Sequence, residues 1–274
     1  MIRLAVRVRR EQADLVLAEL LSLAPSGVEE VDAAPDVVEY AVYGAPGELP
    51  ALPEVTAAVG PALVEISTSE VADDWDRQWR EFHRPLVLDG GRLAVRPPWE
   101  PPLGADLELV IDPGQAFGTG AHATTRLCLE LMLSLPASGP FLDLGCGSGV
   151  LAIAAARLGC SPVVAVDFDP ASVSAAADNA RVNGVEVDVR RHDLRVDPLL
   201  SAPTVAANLL RPLLLTWAKR LAGAAASEMP DRLIASGLLA AEADEVAGAF
   251  AAVGLRESER RTSGDWAALL LQCA

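Results

Sequence analysis

Hydrophobic residues in the first part of this chain recur at the spacings of strands and helices. From Ile2 to Val8, large apolar residues occupy every second position, whereas in residues 11–23 they recur every three or four positions. The first pattern is typical of a half-buried strand and the second of an amphipathic helix. Apolar runs at 37–42 and 63–66 predict two more strands around a short second helix. We therefore predict a small α+β domain with a ferredoxin-like arrangement at residues 1–68.

Strand-like and helical patterns alternate over the second part of the chain. The apolar runs that predict strands lie at 107–111, 141–144, 163–166, 185–189, 205–207 and 233–236. Such alternation predicts a parallel, doubly wound α/β sheet with right-handed crossovers. Two final strand patterns, 256–261 and 266–273, predict an antiparallel hairpin at the end of this sheet. We place this Rossmann-like domain at residues 103–274.

The segment between the two predicted domains, residues 69–102, has a different character. Trp75, Trp79 and Phe82 recur at helical spacing on an otherwise charged stretch, which predicts an amphipathic helix with an aromatic stripe. The proline-rich sequence RPPWEPP follows at 96–102. Because closely spaced prolines hold a chain extended and stiff, we predict a linker helix followed by a proline-rich connector.

The most informative pattern lies at 141–170 and reads FLDLGCGSGVLAIAAARLGCSPVVAVDFDP. It predicts a buried strand, a glycine turn, an Ala-rich helix and a second strand that ends on Asp167. The glycines follow G-x-G-x-G, and Val150 occupies the position of the third glycine in the dinucleotide fingerprint. This spacing favours a cofactor without a pyrophosphate. An acid about 20 residues after the glycines is placed to accept hydrogen bonds from ribose hydroxyls.

Residues with functional potential end or follow several of the predicted parallel strands. They are Asp143, Gly145, Asp167, Asp193 and Asn208. Ligands of doubly wound sheets bind beyond the carboxyl ends of the strands. We therefore expect these residues to border a single ligand site.

Composition narrows the environment and the partners of the chain. Its 274 residues include no apolar run of membrane-spanning length and no signal-peptide pattern, so we expect a soluble, cytoplasmic protein without membrane contact. The net charge of −16 argues against nucleic-acid binding by phosphate neutralisation and favours a basic partner. Residues 1–60 share this character, with ten acids against four arginines.

The cysteines and histidines do not form the pattern of a metal centre. The four cysteines are Cys128, Cys146, Cys160 and Cys273. They lack metal-ligand and disulfide spacing, and His122 has no further ligand at metal spacing, so we predict no metal site. Cys146 lies inside the glycine turn, where we expect it to pack as a small residue rather than act as a nucleophile.

Five motifs occur in order between Asp112 and Leu239. They read DPGQAFGTGAHATTRLC, FLDLGCGSGVLAIAAARLG, AVDFDP, AANLL and ASGLL. This set resembles the bacterial methyltransferases that modify the large-subunit ribosomal protein L11. The resemblance implies a class I methyltransferase fold and methyl transfer from S-adenosylmethionine to lysine ε-amines and the N-terminal α-amine of that basic protein. It also implies that the cofactor is contacted by Thr124, Gly145, Asp167 and Asn208.

The chemistry of this cofactor suits further residues of the predicted site. Gly145 and Gly147 lack side chains, so the backbone can approach the methionine part closely. The carboxylate of Asp167 can accept hydrogen bonds from the ribose hydroxyls, and that of Asp193 from the adenine amine. We expect Asp143 to meet the methionine ammonium, directly or through water.

Asn208 is the residue that we expect to act on the substrate amine. It is similar in position to the residue that opens the N-P-P-Y motif of amino-group methyltransferases, but Leu209 and Leu210 replace the prolines. Because the sulfonium is already activated, positioning of the amine carries most of the rate. Our hypothesis is that the side-chain oxygen of Asn208 and nearby backbone carbonyls orient the amine while water takes the proton.

Three other functions stay open from the sequence. The first is methylation of another protein, a small-molecule amine or a nucleic-acid base, although the lack of a basic stripe and of N-P-P-Y disfavours the base. The second is an NAD-dependent oxidoreductase, which Val150 disfavours. The third is a non-catalytic protein that binds the cofactor. We expect a monomer that releases S-adenosylhomocysteine as its product.

Overall fold

The computed structural model of the chain divides into two compact units, Met1–Glu81 and Phe82–Ala274. It describes residues 2–13, 16, 20, 29–34, 36–44, 49–50, 52–70, 84–112, 122–225 and 228–273. Each unit has a β-sheet and a hydrophobic core of its own. No helix within these residues is both long enough and apolar enough to cross a membrane.

The first unit contains a four-stranded antiparallel sheet. Its elements are β1 (Ile2–Arg9), β2 (Glu29–Ala34), β3 (Val37–Gly44), α1 (Leu52–Val59) and β4 (Leu63–Glu70). The strands lie in the order β2-β3-β1-β4, and every neighbouring pair is antiparallel. The strand with the clearest alternation in the sequence, β1, therefore lies between two partners.

The alternation in β1 separates the core of this unit from the other face of its sheet. The core includes Leu4, Val6, Val8, Tyr40 and Val55. Because successive side chains of a strand point to opposite faces, Arg3 and Arg7 lie on the other face. There both guanidinium groups donate hydrogen bonds to the carboxylate of Glu39, which holds the pKa of that carboxyl below its ordinary value.

The second unit contains two sheets and five α-helices among its described residues. The strands are β5 (Leu86–Leu88), β6 (Leu93–Arg96), β7 (Leu107–Val110), β8 (Phe141–Leu144), β9 (Val163–Asp167), β10 (Asp188–Arg191), β11 (Thr204–Asn208), β12 (Arg232–Leu239), β13 (Leu255–Ser263) and β14 (Trp266–Cys273). The helices are α2 (Ala123–Ser134), α3 (Val150–Leu158), α4 (Pro170–Val182), α5 (Arg211–Leu221) and α6 (Ala243–Ala251).

The larger sheet has seven strands in the order β10-β9-β8-β11-β12-β14-β13. The strands from β10 to β12 run parallel, whereas β14 pairs antiparallel with both β12 and β13. The direction in which the chain adds strands reverses between β8 and β11. From β8 the chain proceeds outward through β9 to β10 on one side of the sheet, and it then adds β11 and β12 on the other side. Ligand crevices of open α/β sheets form at such a reversal.

Helices cover both faces of this sheet. Within β11, Ala206 packs into the core formed with α2, α3 and α4, whereas Val205 and Ala207 pack into the core formed with α5 and α6. A strand buried on both faces reads as a continuous apolar run rather than as an alternation. This explains why the central strands of the second unit look different from β1 in the sequence.

The smaller sheet differs from the expectation for residues 69–102. Its order is β5-β6-β7, with β5 antiparallel to β6 and β6 parallel to β7. From the sequence we expect residues 86–96 to belong to the linker and connector. In the structure they contain β5 and β6, and their residues Leu88, Leu93 and Val95 are buried in the core of the second unit. Strands of three and four residues carry too little pattern to be recognised, because contacts distant in sequence stabilise them.

A second difference concerns the strand predicted at 185–189. The strand β10 spans Asp188–Arg191, and Val185 lies outside it, directly after the turn that closes α4. Its N–H donates to the carbonyl of Ala180 at 3.2 Å, directly after Gly184 with φ of 64°. A left-handed glycine followed by such a bond closes many helices. The valine therefore marks a helix end rather than a strand start.

Two predictions and part of one motif lie outside the described residues. They are all but the last residue of the aromatic helix predicted at 71–84, residues 113–121 of the motif DPGQAFGTGAHATTRLC and most of the helix at 11–23. From the last segment, Ala13, Val16 and Leu20 are described and buried in the core of the first unit.

Candidate functional site

The ends of four neighbouring parallel strands carry the acidic and amide residues predicted to bind a ligand. Asp143 lies in β8, Asp167 ends β9 and Asn208 ends β11, while Asp193 follows β10 by two residues. Because these strands are parallel neighbours in the order β10-β9-β8-β11, their carboxyl ends share one edge of the sheet. The structure therefore brings the four side chains to the same edge.

The glycine turn between β8 and α3 packs against β9. The N–H of Gly145 donates to the carbonyl of Val166 at 2.8 Å. Gly145, Gly147 and Gly149 have φ angles of 78°, 51° and 79°, a region that disfavours residues with a Cβ. A Cβ at Gly145 would also lie 2.3 Å from Cδ2 of Leu209. The backbone conformation favours glycine at this position, and a side chain there would also displace the end of the Leu209 side chain.

Asp167 fixes the glycine turn from the neighbouring strand. Its Oδ2 accepts a hydrogen bond from the N–H of Gly147 and its Oδ1 from the N–H of Asp169, both at 3.0 Å. Each carboxylate oxygen has two lone pairs, so each can still accept from a second donor. The half-buried carboxylate is held in one orientation and keeps acceptor capacity for hydroxyl groups of a ligand.

Asp143 is a buried carboxyl with one oxygen unused. Oδ2 accepts a hydrogen bond from the N–H of Ala152 at 3.0 Å, whereas Oδ1 is buried and has no hydrogen-bond partner within the described part of the chain. Burial raises the pKa of Asp143 to about 7, the Ala152 N–H opposes this rise, and the charge of Asp167 adds to it. A buried acceptor without a donor carries a desolvation cost, which a cationic ligand group would offset.

Asn208 also keeps an unused oxygen at this edge. Its Nδ2 donates to Oγ1 of Thr125 at 3.3 Å, and its Oδ1 is buried without a partner among the residues described. Asn208 and Asp143 thus present unpaired oxygens from β11 and β8, the two strands at the reversal of chain order.

Thr124 lies at the start of α2 and takes part in capping it. Its N–H donates to Nδ1 of His122 at 3.3 Å, and its Oγ1 lies 2.8 Å from the same nitrogen. Burial lowers the pKa of His122, which favours the neutral ring that can accept at Nδ1. The ring also packs edge-on against Trp266, with 4.8 Å between ring centroids. The structure thus gives His122 a capping role that its isolation in the sequence does not indicate.

Leu209 packs against two glycines that belong to separate sequence motifs. Its side chain covers Gly145, and its backbone lies against Gly237, where a Cβ would come within 2.6 Å of the Leu209 carbonyl oxygen. The N–H of Leu209 donates to the carbonyl of Ser236 at 2.9 Å. The leucine that replaces the first proline of N-P-P-Y therefore joins the glycine turn to β12 and holds Asn208 between them.

Asp193 differs from the other residues of this edge because its carboxylate is already paired. Arg195 donates to it through Nε and Nη2, at 2.8 and 2.7 Å, and through its backbone N–H at 3.0 Å. These bonds lower the pKa of Asp193 to about 2. The guanidinium carbon of Arg195 also lies 5.6 Å from the centroid of the Phe168 ring. Phe168 is 57% exposed and directly follows Asp167, a position that sequence reasoning gave no role.

The described side chains at this edge do not form a metal site. Within the residues that the structure describes, no group of three or more His, Cys, Asp or Glu side chains is arranged to hold a metal ion. The donor set consists of backbone N–H groups, carboxylates and one amide, which suits an organic ligand with hydroxyl and ammonium groups.

Comparison with known proteins decides the family. A family model described as Ribosomal protein L11 methyltransferase (PrmA) matches residues 51–273. The chain belongs to this family. A ribosomal protein L11 methyltransferase of Pelotomaculum thermopropionicum is 42% identical over 215 residues, which cover 77% of this chain and 69% of that protein. One of Chloroflexus aurantiacus is 40% identical over 238 residues, covering 76% of this chain and 72% of the relative.

A solved structure agrees with the family and with the fold. The crystal structure of a ribosomal protein L11 methylase from Lactobacillus delbrueckii subsp. bulgaricus matches with a TM-score of 0.57 and 28% identity, covering 67% of this chain and 96% of that one. The second unit therefore has the class I methyltransferase-like α/β fold with a mixed central sheet. Family and fold imply chemistry that depends on S-adenosylmethionine, and the unpaired Oδ1 of Asp143 fits the ammonium group of that cofactor.

Proposed function

We propose that this L11 methyltransferase family member transfers methyl groups from S-adenosylmethionine to the lysine ε-amines and the N-terminal α-amine of ribosomal protein L11. One observation carries the proposal beyond family membership. Within the described part of the chain, Asp143 and Asn208 present two buried acceptor oxygens without a hydrogen-bond partner, from the adjacent strands β8 and β11. One acceptor suits the cationic end of the cofactor and the other suits the amine that receives the methyl group.

The residues around the glycine turn would hold the cofactor in distinct ways. Asp143 accepts a hydrogen bond from the methionine ammonium, and Gly145 and Gly147 allow the backbone to approach. Asp167 accepts from the ribose hydroxyls, because each of its oxygens retains one lone pair. Thr124 contributes through the start of α2. S-adenosylmethionine, when bound, supplies a methyl group activated by its sulfonium.

We propose that the carboxylate of Asp193 accepts a hydrogen bond from the adenine amine. Unlike the other residues of the site, Asp193 already has a partner for this carboxylate. Its carboxylate is bound by three donors of Arg195, so an adenine must share or displace them. Exposed ion pairs contribute little free energy. The rearrangement is therefore inexpensive, and the adenine gains correspondingly little from this contact.

Asn208 would position the amine that receives the methyl group. Its Oδ1 accepts one N–H of a neutral amine, while its Nδ2 donates to Oγ1 of Thr125. A lysine amine has an ordinary pKa of about 10.4, and transfer from water to a buried site lowers it. The proton leaves to water, and the aligned lone pair then faces the methyl group, which places positioning at the centre of catalysis.

We propose that the first unit recognises the protein substrate and has the ferredoxin-like arrangement. The strand order β2-β3-β1-β4 with antiparallel pairing supports that arrangement. Residues 1–60 carry ten acids and four arginines, a difference of six negative charges. A basic ribosomal protein is attracted to such a surface. A single copy of the chain contains both the proposed cofactor site and the unit proposed to recognise the substrate.

Transfer of a labelled methyl group tests the function. The chain is incubated with labelled S-adenosylmethionine and a mixture of purified large-subunit ribosomal proteins, and we expect label in L11. A parallel calorimetric titration with S-adenosylhomocysteine and with NAD should give binding for the first alone. Binding of NAD without binding of S-adenosylhomocysteine would contradict the proposal and favour an oxidoreductase.

The role of the first unit has a separate test. Removal of residues 1–68 should leave S-adenosylhomocysteine binding intact and abolish methylation of L11. Methylation of L11 at the full-length rate by the shortened chain would contradict substrate recognition by this unit.

A further inference from the structure

Among the described residues, no strand covers one of the two edges of β7. The strand β7 pairs with β6 on one side, and the sheet β5-β6-β7 ends there. Alternate residues of a strand direct their N–H and C=O groups to the same side. Val110 and Asp112 are such a pair, and their backbone groups on the open side are satisfied by two asparagine side chains.

Asn179 and Asn183 act as a substitute for a neighbouring strand. The Val110 N–H donates to Oδ1 of Asn183 at 2.9 Å, and Nδ2 of Asn183 donates back to the Val110 carbonyl at 2.7 Å. The Asp112 N–H donates to Oδ1 of Asn179 at 2.9 Å, and Nδ2 of Asn179 donates back at 3.3 Å. Four residues of helix rise about 6 Å, and two residues of strand about 6.6 Å. The two amides therefore match Val110, the last residue of β7, and Asp112, the alternate residue beyond it.

Asn179 makes one more bond, and this bond reaches the glycine turn. Its Nδ2 donates to the carbonyl of Ser148 at 2.9 Å. Asn179 is 3% exposed and Ser148 is fully buried, so water does not compete for this bond. One helical turn earlier, Ala176 of the same helix packs against Gly149, where a Cβ would lie 2.9 Å from the Ala176 side chain. The helix α4 thus contacts two successive residues of the turn.

We propose that Asn179 is a positioning residue for the cofactor site, because it holds the glycine turn and the end of β7 in one arrangement. The inference rests on the proposed cofactor function of the turn. Through Ser148, Asn179 acts on the segment between Gly147, which Asp167 binds, and the first turn of α3. Through Asp112, it acts on the first residue of the motif DPGQAFGTGAHATTRLC. Loss of Asn179 therefore loosens the turn even though the side chain does not contact the ligand.

Asn183 provides a matched control in the same fold. Each amide accepts one backbone N–H and donates to two carbonyls. The second carbonyl is that of Ser148 for Asn179 and that of Asn179 itself for Asn183, where Nδ2 donates at 2.8 Å. Replacing either asparagine by aspartate keeps its size and its acceptor and turns two attractive contacts into repulsive ones. The two substitutions differ in whether the glycine turn is affected.

The test compares Asn179→Asp with Asn183→Asp in the full-length chain. Thermal unfolding reports on stability, and calorimetric titration with S-adenosylhomocysteine reports on the site. We expect both variants to lose stability to a similar degree. For Asn179→Asp, we expect Kd to rise about tenfold, whereas for Asn183→Asp it should change less than about twofold, since tenfold corresponds to ~1.4 kcal/mol. At saturating cofactor, kcat should change less than Kd for either variant.

Three outcomes distinguish the possibilities. Equal rises of Kd in both variants, or unchanged Kd in Asn179→Asp, would overturn the inference while leaving the proposed function in place. Failure of the wild-type chain to bind S-adenosylhomocysteine would overturn the proposed function and the inference with it. If Asn179→Asp does not fold, Asn179→Ala and Asn183→Ala give the same comparison without added charge, and the same difference in Kd is expected.

Discussion

The two ends of the proposed cofactor site differ in how their acidic and amide side chains are used. At β8 and β11, Asp143 and Asn208 each have one buried side-chain oxygen without a hydrogen-bond partner among the described residues. Beyond β10, Asp193 lies near the surface with its carboxylate bound to Arg195. The sequence gives both ends similar residues after similar strands. The difference between them lies in burial and in available neighbours.

The contrast indicates where binding free energy is concentrated. A buried acceptor without a donor costs about 1–3 kcal/mol, which a correctly placed ligand group recovers. An exposed carboxylate that already has an arginine partner recovers little when it exchanges one donor for another. We therefore expect the methionine and amine end of the site to dominate affinity and rate, and the adenine end to contribute less.

The largest expected effect is on turnover at Asn208. In Asn208→Ala, the amine loses its orienting acceptor, so kcat for L11 methylation should fall about 100-fold. Cofactor affinity should change much less, and Asn208→Asp, which keeps an acceptor oxygen, should retain more activity than the alanine variant. Steady-state rates and calorimetry measure the two quantities. Full rate together with full affinity in Asn208→Ala would remove this residue from the mechanism.

The next effect is on cofactor affinity at Asp143. In Asp143→Asn the carboxylate that meets the ammonium loses its charge, so Kd for S-adenosylmethionine should rise about 30-fold. Asp188→Asn serves as a control, because Asp188 is exposed in the edge strand β10. Calorimetric titration of both variants gives the comparison. Equal affinity in Asp143→Asn and wild type would show that the unpaired oxygen does not bind the ammonium.

A pH dependence of affinity should follow from the raised pKa of Asp143, about 7. An ammonium ligand prefers the ionised carboxylate, so Kd should rise about tenfold per pH unit below 7 in the wild type. In Asp143→Asn this dependence should be absent. Titrations at pH 6, 7 and 8 on both chains test this, and identical pH profiles for the two would contradict it.

The raised pKa of Asp143 should also make the stability of the fold depend on pH. Cofactor affinity should increase as pH rises, whereas the contribution of Asp143 to stability should decrease. The folded-state pKa of Asp143, about 7, lies above the ordinary value of about 3.9. The folded state therefore binds the proton more tightly, and this contribution to stability is present at low pH and is lost as pH rises from about 4 to about 7. Relative to Asp143→Asn, the wild type should become less stable over that range, as thermal unfolding can show. A difference that does not vary with pH would contradict the assignment.

The smallest effect is expected at Asp193. In Asp193→Asn, Kd for the cofactor should change less than about fivefold, because the carboxylate lies near the surface and already has Arg195 as its partner. Arg195→Ala sharpens the comparison, since it frees the carboxylate and should leave affinity unchanged or slightly improved. A loss at Asp193 as large as that at Asp143 would contradict the proposed difference between the two ends of the site.

Much of the second unit follows from local pattern. The strands buried on both faces, the glycine turn and the positions of Asp143, Asp167 and Asn208 at strand ends can be predicted because each depends on residues close in sequence. The family resemblance rests on the same motifs and is confirmed by the match over residues 51–273. The individual contacts of these residues with a ligand stay predictions.

Other features depend on partners that are distant in sequence. The bonds of Asn179 to Asp112 and Ser148 join segments 67 and 31 residues apart. The short strands β5 and β6 are stabilised by the core that they join. Period and spacing carry no information on such contacts, so these features become visible in the structure alone.

Mass spectrometry of ribosomal protein L11 tests the central claim most directly. Purified L11 is incubated with S-adenosylmethionine and either the wild-type chain or Asn208→Ala, and the sites of modification are mapped. We predict added methyl groups on lysine ε-amines and on the N-terminal α-amine with the wild type, and strongly reduced addition with the variant. Unmodified L11 after incubation with a wild-type chain that binds the cofactor would contradict the proposed function.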